Sequence, residues 1–280
     1  MIHIITDSTA GLPADLAQRY DIPVIPQVIV FGDESYLEGI EIDQAAFLQR
    51  LRAAKTLPTT AAPPPGLFED IFRTRAAPGD TFLCIHPSAE ISGTVRSALI
   101  AAADFPDLDI RVIDTRTIAG PLATLALLAA QWAQEGVDAD AIVGRVQAMI
   151  PRAQLYFLVD TLEYLQKGGR IGGAAALIGS VLQVKPILEL RAGRVEPLER
   201  ERTHRKALER LQELTRAQAP RGPESHLSVL HAGAADAART LAANLGRDLA
   251  IPEVMIMELT PAIVTHAGPG VLGVGFFAAS

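Results

Sequence analysis

Short apolar runs alternate with amphipathic stretches through the first half of the chain. Ile2–Ile5 is an apolar run closing on Thr6-Asp7-Ser8, whose short side chains can bond nearby backbone groups. A helix is expected over Ala14–Tyr20 and a strand over Val24–Val30, with Pro23 and Pro26 tolerable near a sheet edge. Phe31–Gly39 reads as a loop or hairpin, and Asp43 as the cap of a helix through Ala54. Pro58–Gly66 is too proline-rich for regular helix or central strand. Phe68, Ile71 and Phe72 then mark a helical stripe. Strand signals at Thr81–His86, Ile110–Asp114 and Leu155–Val159 enclose helical ones at Thr94–Phe105, Ile118–Gly136 and Ala139–Met149. This alternation predicts an α/β protein with a mainly parallel N-terminal sheet flanked by helices.

Beyond Asp160 the texture changes, and the division expected is a first α/β domain over 1–160 and a second over 161–280. Gly168-Gly169-Arg170-Ile171-Gly172-Gly173 breaks regular structure before an apolar stretch over Ala174–Leu182. Strands at Lys185–Leu190 and Arg194–Leu198 flank a hairpin turn at Arg191-Ala192-Gly193. Thr203 caps a helix reaching about Ala217. Leu227–His231, a helix over Ala234–Leu245 and a strand over Glu253–Leu259 form a further α/β unit.

The segment Thr265–Gly275 places a polar pair, Thr265-His266, before a glycine-dense apolar run. Such a run points to a tight backbone path beside another group. Its Gly268-x-Gly270-x-x-Gly273 spacing matches the dinucleotide fingerprint. That motif needs a βαβ setting and an acid about 20 residues on, and only Val274–Ser280 follows. The nucleotide reading fails on context.

Composition narrows the classes further. The 280 residues are 49% hydrophobic and 20% charged, ordinary values for a globular protein with a substantial core. A net charge of -7 argues against a nucleic-acid surface. Cys84 is the single cysteine, so neither an internal disulfide nor a cysteine metal cluster is expected. The six histidines form no metal-ligand spacing, so no metal is expected. The N-terminus lacks signal-peptide features, and Ile118–Ala130 is too short to span a bilayer. A cytoplasmic location is the expectation.

Ligands of α/β sheets bind outside the carboxyl ends of strands. Polar clusters sit near such ends at Thr6-Asp7-Ser8, Thr59-Thr60, Ser88 with Ser92-Gly93-Thr94, and Thr265-His266. Singly, each is explained by capping or by a structural hydrogen bond; together they mark a candidate site. A serine hydrolase built from Ser92, His266 and Asp7 is one reading, although Ile91-Ser92-Gly93-Thr94 is not a nucleophile elbow. No Walker motif is present.

The same clusters carry a family resemblance. Ile5-Thr6-Asp7-Ser8-Thr9-Ala10-Gly11-Leu12-Pro13 resembles the opening of DegV-family proteins, the fatty-acid-binding FakB group. Leu57-Pro58-Thr59-Thr60-Ala61-Ala62-Pro63-Pro64-Pro65 stands where that family reads TSQPSP, and Ile91-Ser92-Gly93-Thr94 matches its LSGT. Val112-Ile113-Asp114-Thr115-Arg116 resembles a strand-end segment of the family. Tyr164–Ile171 matches L-x-K-G-G-R-I, with Lys185-Pro186 following, and His266-x-Gly-Pro-Gly completes the set.

The resemblance implies a two-domain DegV-like fold holding one long-chain fatty acid in an internal tunnel, with no other cofactor and no catalysis of its own. It implies that the carboxyl group is presented to a separate ATP-dependent fatty acid kinase, whose acyl-phosphate feeds bacterial phospholipid synthesis, with transient contact at the membrane surface. Thr60, Ser92 and His266 would surround the carboxyl. Arg170 would support the head-group network or the kinase encounter, and Thr94, Gly268 and Gly270 would support the site. The Ala- and Leu-rich segments Ile118–Ala130 and Ala174–Leu182 would supply tunnel walls. The sequence departs from the family at Ala61-Ala62, at Pro63-Pro64 and at Ser88-Ala89-Glu90, so hydroxyls and an amide are absent near the head group. A carrier of another small apolar acid is the remaining alternative.

Overall fold

The N-terminal apolar run becomes one of the two inner strands of a parallel sheet. In the computed structural model, which describes residues 1–178 and 184–279, the strands of the first half are β1 (Ile2–Asp7), β2 (Val24–Ile25), β3 (Val28–Phe31), β4 (Glu34–Leu37), β5 (Thr59–Ala61), β6 (Thr81–His86) and β7 (Asp109–Asp114). One sheet has the order β2-β1-β6-β7 and is parallel throughout. Buried on both faces, β1 and β6 read as continuous apolar runs, as parallel strands do.

The run Val24–Val30, expected as one strand, is divided between two sheets. Pro26 has no N–H to continue a ladder, and the chain leaves the parallel sheet there. It re-pairs as the middle strand of a second sheet, β4-β3-β5. Within the segment expected to be irregular, Thr59–Ala61 forms a three-residue edge strand against β3, placing Thr60 opposite Ile29. Pro65 then opens the helix Pro65–Arg75 at a position where the missing donor costs nothing. Asp43 caps Gln44–Ala53 by accepting from the Ala46 N–H, and Thr203 does the same for His204–Gln218 through Lys206.

The second half supplies β8 (Ala153–Leu158), β9 (Lys185–Arg191), β10 (Arg194–Glu201), β11 (Ser228–His231), β12 (Met255–Glu258) and β13 (Leu272–Phe277). They form a mixed sheet in the order β10-β9-β8-β13-β11-β12, in which only β11–β12 is parallel. The β9–β10 turn is made by Ala192 and Gly193, both with positive φ (49° and 83°), as two-residue hairpins favour.

The glycine-dense tail enters the middle of this sheet as the fully buried β13. A Cβ on Gly275 would lie 2.5 Å from Pro121 Cδ, and one on Gly273 2.8 Å from the Tyr156 carbonyl oxygen. The missing side chains let the helix Ala119–Gln134 settle on the strand. That helix packs on β1 of one sheet and on β11 and β13 of the other. Leu122, Leu125 and Ala126 on it are fully buried in a core shared with Leu83, Leu155 and Leu230. In the apolar stretch expected over Ala174–Leu182, Ala174 and Leu177 are buried in a 3-10 turn, while 179–182 lie outside the described residues.

Candidate functional site: a polar-headed cavity between the sheets

A narrow cavity opens where β5, the loop before the helix Thr94–Ala103 and the helix Pro261–Ala267 converge. Its volume is about 120 Å3. Most of its wall is apolar, including Leu155, Phe157, Leu190, Leu230, Leu259 and Val271. The polar groups on it are Thr9, Gln27, Thr60, Ser92, Arg170 and His266.

Local structure explains how these groups meet. Thr60 is carried by an edge strand, and its Oγ1 lies 2.7 Å from His266 Nε2. His266 sits in the last turn of Pro261–Ala267, after which Gly268 and Gly270 (φ 83° each) turn the chain into β13. Neither position has room for a side chain: a Cβ would stand 2.6 Å from the Tyr164 ring at Gly268 and 2.2 Å from Asp160 Oδ2 at Gly270. Gly168 packs against the other edge of the imidazole, where a Cβ would fall 2.2 Å from His266 Nδ1. Gly168 thus clears space for the imidazole itself, while Gly268 and Gly270 make room for Tyr164 and Asp160.

Burial, with the nearby Arg170 guanidinium as the smaller cause, pushes His266 down to about 4, so the ring is neutral at pH 7. Its Nδ1 is buried with no hydrogen-bond partner among the described residues. Ser92 Oγ is 2.8 Å from Thr94 Oγ1 and also receives the Thr94 backbone N–H at 3.3 Å. The Ser92 loop lies against β5 through Gly93, where a Cβ would touch the Ala62 side chain at 3.1 Å.

Arg170 ties two of the motif loops together. Its Nε donates to the Ile91 carbonyl at 3.1 Å and its Nη1 to the Gly168 carbonyl at 2.7 Å. Among the described residues it has no carboxylate partner, and burial lowers its pKa. A half-buried guanidinium without a counter-ion favours an anion beside it.

The structure thus gathers Thr60, Ser92, Arg170 and His266 on one cavity, with Thr94 behind Ser92. Asp7 is elsewhere in the network. Fully buried, it pairs with His86 Nδ1 at 2.9 Å rather than with His266. Ser92 bonds Thr94, and His266 bonds Thr60, so the hydrogen bonds of a Ser92–His266–Asp7 triad are not those the site makes. Ser88 lies outside the cavity, where its Oγ donates to the Gly193 carbonyl at 2.9 Å and joins the β9–β10 turn to the first half.

Sequence reasoning passed over Gln27 and Thr9. Gln27 is buried in the break between β2 and β3 and donates from Nε2 to Thr94 Oγ1 at 2.8 Å and to Asp7 Oδ1 at 3.1 Å. The available signal was a lone amide between Pro26 and an apolar run. Among the described residues no His, Cys, Asp or Glu cluster suits a metal, and no helix is long and apolar enough to cross a membrane.

Residues 1–279 match the model of the family described as uncharacterised DegV family proteins. The chain is 42% identical over 275 residues to DegV domain-containing protein SCO2569 of Streptomyces coelicolor, covering 98% of this chain and 97% of that one. It superposes on a fatty-acid-binding DegV family protein from Thermus thermophilus with a TM-score of 0.91 and 33% identity, covering 99% of both chains. DegV of Bacillus subtilis, a fatty acid binding protein, gives 0.89 and 32% over 99% of both chains. With nearly its whole length matched in sequence and in fold, the chain belongs to the DegV family.

Proposed function

We propose that this protein binds one long-chain fatty acid, with the acyl chain in the apolar cavity and the carboxyl group among Thr60, Ser92 and His266. The observation that carries the reading is the cavity's polarity. One region has hydroxyls, a neutral imidazole and a guanidinium with no carboxylate partner among the described residues, and the remaining wall is aliphatic and aromatic. Fatty acid binding by the Thermus thermophilus and Bacillus subtilis relatives supports it.

Burying each methylene contributes about 0.8 kcal/mol. A long acyl chain thereby offsets the lost translational and rotational freedom of the ligand. The head then decides orientation, because a carboxyl left unpaired in the cavity is penalised. Thr60 and Ser92 supply hydroxyls, and Arg170 supplies a nearby positive charge without a carboxylate partner of its own. Ala62, where the resemblance expects a polar residue, lines the cavity, so the head group rests on fewer protein donors here.

In this reading the protein is a carrier rather than an enzyme. It presents the carboxyl to a separate ATP-dependent fatty acid kinase, and the acyl-phosphate so formed enters phospholipid synthesis. A cytoplasmic site of action with transient membrane-surface contact follows from that role. In the same reading two units, 1–160 and 161–280, hold the ligand between them, with β8 (Ala153–Leu158) from the end of the first pairing within the sheet of the second. The test is reconstitution: fatty acid and ATP yield acyl-phosphate only when this chain and a bacterial fatty acid kinase are both present. Turnover of an activated ester by this chain alone, abolished in Ser92→Ala, would favour the hydrolase instead.

A further inference from the structure

A chain of hydrogen bonds runs from the buried Asp7 to the cavity, and its direction can be worked out proton by proton. Asp7 Oδ1 receives the Thr9 backbone N–H at 3.0 Å, which fixes that oxygen as an acceptor. The Gln27 side-chain atom 3.1 Å from it must therefore be the NH2 nitrogen. The second hydrogen of that NH2 is directed to Thr94 Oγ1 at 2.8 Å. Thr94 Oγ1 accepts from Gln27, and among the described residues the one acceptor within reach of its own buried proton is Ser92 Oγ, also at 2.8 Å, so the proton is directed there. Ser92 Oγ already receives the Thr94 backbone N–H. Both lone pairs of Ser92 are then occupied, and only its own proton is left for a ligand.

Thr60 reaches the same state by another route. His266 Nδ1 is buried with no partner among the described residues, and an orphaned N–H is rarer than an under-satisfied acceptor. The ring proton accordingly belongs on Nε2, donated to Thr60 Oγ1, which leaves the Thr60 proton unspent. The head of the ligand therefore meets the free protons of Ser92 and Thr60, with the Arg170 guanidinium beside them.

We propose that Gln27, anchored on Asp7, is a positioning residue that sets Ser92 as an outward donor, so that the site selects a proton-free anionic head over an alcohol of the same chain. This deepens the fatty-acid reading and rests on it. A carboxylate accepts every proton offered. A neutral alcohol makes weaker bonds to the same donors, and the proton it brings finds no lone pair on Ser92 unless that hydroxyl is freed to rotate.

The experiment measures binding of a fatty acid and of the fatty alcohol of equal chain length to the full chain. The proteins are wild type, Gln27→Met, Thr94→Val and Thr94→Ser, each checked for its melting temperature. The wild type and Thr94→Ser, which keeps the hydroxyl, should prefer the acid by tenfold or more. Gln27→Met and Thr94→Val should lose about tenfold on the acid, the effect of one charge-assisted hydrogen bond. They should hold the alcohol unchanged, so that the preference collapses. If either of these variants keeps the wild-type preference, or weakens both ligands equally, the positioning role is overturned. A wild type that binds neither ligand overturns the carrier reading itself, and this inference with it.

Discussion

Thr60 Oγ1 and His266 Nε2 meet at 2.7 Å across 206 residues of sequence, joining an edge strand of the first half to the last helix of the second. The contact closes the polar side of the cavity, and a bound carboxyl would share or replace it. Thr60→Val and His266→Ala should each weaken fatty-acid binding by roughly 10- to 150-fold, the range for losing a hydrogen bond to a charged group. Titration calorimetry with one fatty acid checks this. Affinities within twofold of wild type would place the carboxyl elsewhere.

The depressed His266 pKa has a consequence for stability in the ligand-free protein. In the fold the ring stays neutral down to about 4, because burial and Arg170 disfavour the cation. The unfolded chain takes up the proton already near 6.5. Between those values the unfolded state binds more protons, so stability falls as pH drops from about 6.5 toward 4. The loss is on the order of 2–3 kcal/mol. Denaturant melts at pH 7 and pH 4.5 should show this slope reduced in His266→Gln.

Gly168 is a packing requirement of the histidine. An alanine there would place its Cβ 2.2 Å from His266 Nδ1 and 2.9 Å from the Tyr164 carbonyl oxygen. Overpacking of this kind costs about 1–3 kcal/mol, so Gly168→Ala should fold with a lowered melting temperature. Because the displaced group is His266, fatty-acid affinity should fall at least tenfold. Unchanged affinity would mean that the ring's position does not matter to the ligand.

For Arg170 the prediction separates binding from transfer. Its two side-chain hydrogen bonds go to backbone carbonyls, leaving the guanidinium charge without a carboxylate partner among the described residues. Arg170→Ala should reduce kinase-coupled acyl-phosphate formation more than it reduces fatty-acid retention. Equal losses would assign the residue to the head group alone.

Cys84 supplies a check on the core. On β6, fully buried, its thiol is pushed up to about 12 by burial. At pH 8 the native protein should resist alkylation and react only on unfolding. Rapid native labelling would contradict the packing of the parallel sheet.

Much of this was legible in the sequence where the determinant is local. Asp43 and Thr203 cap their helices through their own side chains, and Ala192-Gly193 turns a hairpin because both residues take positive φ. The gathering of Thr60, Ser92 and His266 was read from motifs, since strand-end placement alone did not say which clusters would meet. The rest depends on partners distant in sequence. That the glycines of 268–275 lead into a central strand is decided by Pro121 and Tyr156 against them. Gln27 matters because its amide reaches Asp7 and Thr94, twenty residues behind it and sixty-seven ahead. A single polar residue between apolar neighbours gives no sign of such a link.

The most direct test of the central claim is native mass spectrometry of freshly purified protein, followed by lipid extraction. The account predicts one fatty acid per chain, retained in the wild type and depleted in the Thr60→Val and His266→Ala variants. A protein that emerges empty and also fails to take up added oleate or palmitate would contradict it.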